Sequence, residues 1–479
     1  MKKFKWLHGA SAIAVVTSFL ATDAMAQSLV DEITVTATKR EENIQDVPIA
    51  VSAYSGALLE ASGANDIREL TSVSPSLTVA ATQSEATGVN ARIRGVGTVG
   101  DNPGLQSAVG VFIDEVYRSR NSVALGDLGE IEGVEIARGP QGTLFGRNSS
   151  AGAIIVRTKQ PEFENSGYIE GTYGSFDNVR VSGGLTGPLV ENLLAGRVNV
   201  SWEQRDGYIE DLNGGDDLND RDRVQARGQL LFEPSDEVSV RFIADYAKRE
   251  ENCCGAVSIV NGPLQGLANA LGGGAEVDPP NPSALVASVT PGRGYQQDVD
   301  EWGVSTQVNW ALPFGDLVSI TAYRDWEVVR SQDVDYSTAD IAFRPEDGFT
   351  NGFETFTQEL RLSGETGPLE WIFGGFYSKE DVTLNDQLSV GAQYEAFFDT
   401  LASGLAGAAV DISAITSLPD GAVFGPGGIA SQNDNHNVES TSWAIFTSQT
   451  LNVTDRLAVT AGVRYTEEDI DYSSVLSST

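Results

Sequence analysis

The stretch RGPQGTLFGRNSSAGAI, Arg138–Ile154, decides how the rest of the chain reads. Four glycines and a proline punctuate two arginines, and the segment then releases into the apolar run AIIV. Gly139, Gly142, Gly146 and Gly152 permit backbone angles closed to other residues, Pro140 sets one turn, and Ala153–Val156 has the make-up of a buried strand. The spacing predicts a tightly folded loop without regular structure, feeding a strand.

Composition narrows what can surround that loop. The 479 residues allow several ordinary domains, or one small domain beside one large β structure. The net charge of -36 excludes nucleic-acid recognition, which needs clustered Lys and Arg. With 41% hydrophobic residues in short alternating runs the chain still buries enough surface to fold. Residues 1–26 carry KKFK, an apolar run from Ala10 to Leu20 and Ala24-Met25-Ala26, the layout of an export signal. Later in the chain no run of about 18 apolar residues offers a membrane-spanning helix.

Upstream of the loop, residues 46–160 alternate short strands with modest helical patterns at Ser55–Ser62 and Asp66–Ser72, which predicts a small α+β domain. GVGTVG, Gly95–Gly100, satisfies a dinucleotide-loop pattern, but DNPGLQ follows and cannot open the helix that such a site requires. Nucleotide binding is set aside.

Downstream, from Gly167, the strands lengthen and alternate. In LLAGRVNVSWEQR, Leu194, Gly196, Val198, Val200 and Trp202 oppose Arg197, Asn199, Ser201 and Glu203. An apolar face ending in an aromatic, against a polar face, is the pattern of a transmembrane antiparallel β-barrel. Short turns near Gly187–Asn192, Glu233–Glu237, Pro313–Asp316, Glu365–Leu369 and Asn452–Arg456 alternate with long loops at Asp206–Asp220, Glu251–Asp300, Gln332–Gly352 and Asn385–Val438. Outer-membrane barrels place short turns on the periplasmic side and long loops outside. Eleven strands are expected, starting near residues 167, 178, 193, 222, 238, 301, 317, 353, 371, 440 and 457. Bacterial barrels have even strand counts and a plugged lumen belongs to about 22 strands, so half of such a barrel and a longer parent chain are expected.

Arg138–Ile154 resembles the plug-domain signature of TonB-dependent outer-membrane receptors, of the form RGPQGTLYGRN; Ile155 and Gly133 depart from it where asparagine and arginine are common. RIRGVG, with Arg92, Arg94 and Gly95, resembles a second motif of the same plug, and the first motif supplies Arg138, Gly139, Pro140, Gly142, Gly146 and Arg147. The segment Ile33, Thr34, Val35, Thr36, Ala37 resembles a TonB box, which pairs as an added strand with an energy-coupling protein and must be accessible to do so. The resemblance implies an export signal (1–26), TonB box and linker (27–45), plug (46–160) and partial barrel (161–479). It also implies that plug arginines, here Arg94 and Arg138, face glutamates of the barrel wall, for which strand parity offers Glu359.

The implied function is active import of a scarce nutrient across the bacterial outer membrane, with the TonB protein, outer-membrane lipid and a small-molecule substrate as partners and the receptor a monomer. A ferric siderophore or similar metal chelate is the default cargo; carbohydrate, cobalamin, nickel chelates and aromatic compounds are the alternatives. A passive porin, the rival of another class, lacks both plug and TonB box. No enzyme is expected: after the signal, His436 is the one histidine, which leaves no material for a catalytic triad or histidine metal cluster and disfavours haem uptake. No cofactor is assigned. Cys253 and Cys254 are adjacent in a long loop of an exported protein, where a disulfide stiffening the loop tip is expected ahead of free thiols. Asp211–Asp222 reads as a solvated acidic loop ahead of a calcium site.

Overall fold

The computed structural model describes residues 34–478 except 65, 82–83, 99–104, 121–128, 420, 424, 426–429 and 455. The export signal and Ile33 lie outside the described residues.

The sequence's change of character near Gly167 separates two sheets. The first is a five-stranded mixed sheet formed by β1 (Ala50–Ser55), β2 (Val109–Ile113), β3 (Val116–Arg118), β4 (Ile131–Arg138) and β5 (Gly152–Thr158), in the order β1-β4-β5-β2-β3. The β2–β5 pair is parallel and the other three are antiparallel. β5 is the run that ends the decisive stretch. Ala153, Ile154, Ile155 and Val156 are all buried, because the sheet is covered on both faces. One face packs Val134, Ile136, Ile154 and Val156 against Leu59, Ile67 and Leu70 of the helical layer. Gly56–Ser62 is helical there, started by Ser55, whose hydroxyl accepts from Leu58 N–H, and stopped by Gly63 at φ 73°. Glu69–Ser72 is a single 3-10 turn.

The loop between β4 and β5 departs from expectation in one respect, since Gly142–Phe145 forms one helical turn. At Gly152, φ is 151° and any Cβ would collide with the carbonyl of Ala137 on β4. Only glycine lets β5 begin there.

The second sheet has eleven strands: β6 (Ser166–Tyr173), β7 (Val179–Val190), β8 (Leu194–Arg205), β9 (Arg221–Ser235), β10 (Val238–Asn252), β11 (Gln296–Leu312), β12 (Gly315–Asp333), β13 (Ala342–Thr366), β14 (Leu369–Val390), β15 (Gln432–Thr454) and β16 (Leu457–Ser478). Each pairs antiparallel with the next, in chain order. Burial is inverted relative to a water-soluble sheet. On β8, Arg197, Asn199, Ser201 and Glu203 are buried while Val198, Val200 and Trp202 are exposed. Polar side chains point at the first sheet and apolar ones point away, into what a bilayer would cover. The outer face carries a row of aromatics, with Tyr246 opposite Trp302, Tyr323 opposite Phe356 and Tyr377 opposite Trp443. This is the girdle that alternation ending in an aromatic predicts.

Tight connections follow β7, β9, β11, β13 and β15, and the connections after β8, β10, β12 and β14 are longer. The loop expected over Gln332–Gly352 shrinks to 334–341, because β12 and β13 continue past the aromatic row as a paired extension. The other long loops hold structure that their Gly-rich composition concealed: helices Gln265–Leu271, Tyr394–Ala406 and Ile412–Thr416, and a two-residue parallel bridge of Glu210–Asp211 with Val286–Ala287. The outermost strands, β6 and β16, do not pair with each other, and β6 is exposed along both faces.

Candidate functional site: the contact between the inner domain and the wall

The hairpin turn between β2 and β3 is the centre of the contact. Asp114 and Glu115 both have positive φ, 49° and 63°, the geometry of a type I′ turn built without glycine. Such backbone is costly and persists where surrounding contacts hold it. Here the turn sends two carboxylates to different parts of the wall. Asp114 accepts from Thr158 N–H at 3.0 Å and meets Arg241 of β10 at 3.3 Å. Burial raises its pKa, but Arg241 and Arg227 more than reverse this and the net direction is down. Glu115 accepts from Arg361 Nη2 of β13 at 2.9 Å and lies 3.7 Å from Lys39. Burial opposes its charge as well, yet Arg361 and Lys39 hold its carboxyl at about 2.

Lys39 closes a four-membered charge cluster. Its ammonium donates to Glu359 at 3.2 Å, and Arg361 Nη1 donates to the same carboxylate at 2.9 Å. The inner domain contributes Lys39 and Glu115, and β13 contributes Glu359 and Arg361. Strand parity therefore points to a wall glutamate that meets an inner cation, but the expected cations differ. Arg94 is exposed at a turn with φ 53°, its N–H bonded to Ser76 O, and Gly95 follows at φ 79°. Arg138 ends β4 opposite Ala50, with its Nε buried and unpartnered. Neither is bonded to Glu359: Arg94 follows the separate two-stranded pair Leu77–Ala80 with Asn90–Ile93, and Arg138 is the last residue of β4. Arg92 lies in a short strand, opposite Thr78.

Arg147 does reach the wall, pairing with Glu468 of β16 and donating to Ser440 Oγ at 3.1 Å. Gly146 makes that approach possible: at φ 79°, a Cβ would lie 2.6 Å from the guanidinium of Arg464. Further pairs join Arg118 to Glu301 at 3.2 Å, Arg120 to Glu380, and Glu130 to Arg197 at 2.9 Å. Sequence reasoning missed Asp114, Glu115, Arg118 and Arg120. Their signal was present: four charged residues interrupt the apolar hairpin VGVFIDEVYRSR, where a domain core alone would tolerate few.

The strap Thr34–Asn43 lies at the short-turn end. Thr34–Val35 pairs with Glu42–Asn43, and Thr36 N–H donates to both oxygens of Glu135 at 2.9 and 2.8 Å. Val35 is 0% and Ala37 1% exposed, the latter packed on Phe112, Phe145 and Ile155. The accessibility expected of this segment is therefore absent in the described conformation, because its alternating apolar side chains find the underside of the inner sheet. Burial raises the Glu135 carboxyl despite the Thr36 amide and Arg157. Arg40 fastens the strap to the wall, donating to Glu370 at 2.6 Å and to Trp371 O at 2.9 Å. Beside it opens a cavity of about 1370 Å³, lined by Lys39, Arg40 and Glu41 and by the turns Glu233–Glu237 and Pro313–Asp316.

At the long-loop end, Ser84–Gly88 forms the apex of the inner domain. Ala86 is packed among Val299, Trp326, Phe349 and Phe353 of the wall. Ser84 Oγ donates to Gln297 Oε1 at 2.6 Å, and Arg330 donates to Thr87 Oγ1 at 2.7 Å. Glu85 pairs with Arg68 and with Arg223 of β9; burial raises its pKa, but the two guanidiniums bring it to about 2. Cys253 and Cys254 are bonded to each other, and Cys254 Sγ accepts from Glu85 N–H at 3.3 Å. The disulfide thus sits at the base of its loop against the apex, not at a tip. Asp211 turns its carboxylate to Asn213 and Gly215 N–H, which suits an acidic turn rather than a cation cage.

Residues 43–153 match the family model of the TonB-dependent receptor plug domain, and residues 255–479 match that of the TonB-dependent receptor-like β-barrel. The pesticin receptor of Yersinia pestis is 36% identical over 149 residues, which is 30% of this chain and 21% of that protein. The ferric enterobactin receptor of Pseudomonas aeruginosa is 27% identical over 212 residues, 39% of this chain and 27% of that one. Among solved structures, the ferric yersiniabactin uptake receptor from Yersinia pestis superposes with a TM-score of 0.67 at 18% identity, over 89% of this chain and 61% of that one, a likeness of fold. The chain thus spans less than two thirds of each of these relatives. With a plug and a receptor barrel both matched, and with the plug folded against the inner face of the wall, the chain belongs to the TonB-dependent receptors, outer-membrane proteins of Gram-negative bacteria.

Proposed function

We propose that the chain is the plug and eleven wall strands of a receptor that imports a ferric chelate, a siderophore or similar metal complex, by TonB-driven displacement of the plug. The observation that carries this reading is the strap: a TonB-box-like segment held at the short-turn end and tied at once to the plug through Glu135 and to the wall through Glu359 and Glu370. A pull on Thr34–Ala37 acts directly on the Lys39 cluster, where plug and wall meet. A passive pore has no use for such a connection. Residues 27–45 then act as coupling segment, 46–160 as plug and 161–479 as wall. The unpaired edges of β6 and β16 favour further strands that close the cylinder, since lipid does not tolerate open sheet edges. The ferric chelate is favoured by similarity to receptors for ferric enterobactin and ferripyoverdine.

The test is uptake of radiolabelled ferric chelates by energised cells expressing the full-length receptor, with and without residues 34–37. Deletion is expected to abolish uptake while surface binding persists. Unchanged uptake after deletion overturns the coupling; uptake of a carbohydrate or cobalamin in place of iron keeps the coupling and overturns the cargo.

A further inference from the structure

We infer that the plug–wall interface contains a binding site for a small monovalent anion, of the halide class, enclosed between the β2–β3 hairpin and the wall strands β9, β10 and β11. The site is a hollow of about 40 Å³. One ordered water needs roughly 10–15 Å³, so the space suffices for a small ion in place of water. It exists because Ala247 of β10 faces inward between Gln225 on one neighbour and Glu301 on the other, and its methyl group leaves the layer above it unfilled. Ile113 and Arg118 of the plug form the roof.

The charge around the hollow does not balance. Five arginines line it, Arg118, Arg223, Arg227, Arg249 and Arg324, against the carboxylates Asp245 and Glu301; Lys248 also borders it but pairs with Glu250. Arg118 and Arg324 are held by Glu301, and Arg324 also by Asp245. Arg223 is held by Glu251 and Glu85. Two guanidiniums share counter-charges that other arginines hold more closely. Arg249 is 7% exposed, and the carboxylates that attract it, Glu251 and Glu301, are already held by Arg223 and by Arg118 and Arg324. Arg227 is 8% exposed, with Nε and Nη1 buried and unpartnered, and approaches Asp114 only to 3.9 Å. Gln225 adds a carboxamide whose oxygen is buried without a partner, and turning that amide presents two N–H donors instead.

Buried guanidiniums that must share their counter-charges stay under-neutralised, and water between them satisfies their N–H groups but not their charge. An anion over Ala247 does both. It accepts from Arg227, Arg249 and Gln225, and it neutralises cations that face the plug hairpin, so its occupancy ties the hairpin to the wall. This holds whatever the receptor carries, and it is independent of the cargo proposed above.

Crystals of the full-length receptor grown in bromide test it by anomalous scattering. A bromide peak above Ala247 is expected, and it should be lost in Arg249→Gln and in Ala247→Leu. The second variant fills the hollow while keeping every charge, which covers the case in which the first fails to fold. In solution, replacing chloride by gluconate should lower amide protection of Val109–Arg118 at least threefold in the wild type and leave Ala247→Leu unchanged. Water alone in the hollow, a peak that survives both variants, or protection indifferent to the anion overturns the inference.

Discussion

Replacing Lys39 by methionine isolates the charge that joins strap, plug and wall. The methionine keeps an unbranched stem near Phe112 and Phe145, whose ring centres lie 5.4 and 5.0 Å from the ammonium, so packing changes little while the cation disappears. Glu115 and Glu359, 25% and 9% exposed at their side chains, are then left to share Arg361. Removing one partner of a buried pair costs about 3–5 kcal/mol when the other is stranded. Because Arg361 remains, the lower figure applies, and about 3 kcal/mol corresponds to roughly a hundredfold rise in the population with the strap released. Native-state hydrogen exchange reads this at Thr36, whose amide is held by Glu135. Protection there should fall about a hundredfold while amides of β12 are unchanged. Glu359→Gln should act in the same direction, and the double variant should lose less than the two losses combined, since both remove one contact. Protection at Thr36 within twofold of wild type in Lys39→Met, or strict additivity in the double variant, refutes the argument that this cluster holds the strap.

Gly152→Ala should destabilise the plug by about 1–3 kcal/mol, since alanine at φ 151° is strained and meets the Ala137 carbonyl; increased protease cleavage between β4 and β5 is the readout. Lowering the pH should leave the plug seated at pH 5 and loosen it only well below the ordinary carboxylate range. Glu85 and Glu115 have folded values of about 2 against 4.5, and a depressed group contributes fully above its unfolded value and loses that contribution as pH falls through the folded one. Amide protection of Ser84–Gly88 and Val111–Arg118 between pH 6 and 2 checks the window, and loosening centred above pH 5 contradicts it. Val200→Arg, on the exposed outer face of β8, should cost about 2–4 kcal/mol in a bilayer and reduce outer-membrane assembly, whereas the same change in a detergent micelle has a smaller effect; equal recovery in both refutes the lipid-facing assignment.

What could be read before folding was what local chemistry controls. Alternation along LLAGRVNVSWEQR assigns inside and outside because strand side chains repeat every second residue, and parity along QELRLSG singles out Glu359, which is buried and meets Lys39. The turn chemistry of Arg138–Ile154 located the last strand of the plug, since only glycine enters β5 past the Ala137 carbonyl. The Gly-rich long loops hid the helices Gln265–Leu271 and Tyr394–Ala406, whose packing against each other and against Ala339 and Ile341 supplies what weak local propensity does not.

The pairing of charges was beyond that reach. Lys39 and Glu359 are 320 positions apart, and every inward Arg and Glu satisfies the same alternation rule, so parity names the candidates without choosing among them. The choice falls to the depth at which each plug turn meets the wall. The positive-φ turn at Asp114–Glu115 sets Glu115 beside Arg361, and the strap's apolar residues carry Lys39 to the same level. The sequence by itself determined a plug, a lipid-facing wall and their order, because these follow from periodicity and turn chemistry within a few residues. Only the tertiary structure decided which charges lock them together and that Val35 and Ala37 of the strap are buried, because those depend on the register between two sheets that share no local sequence.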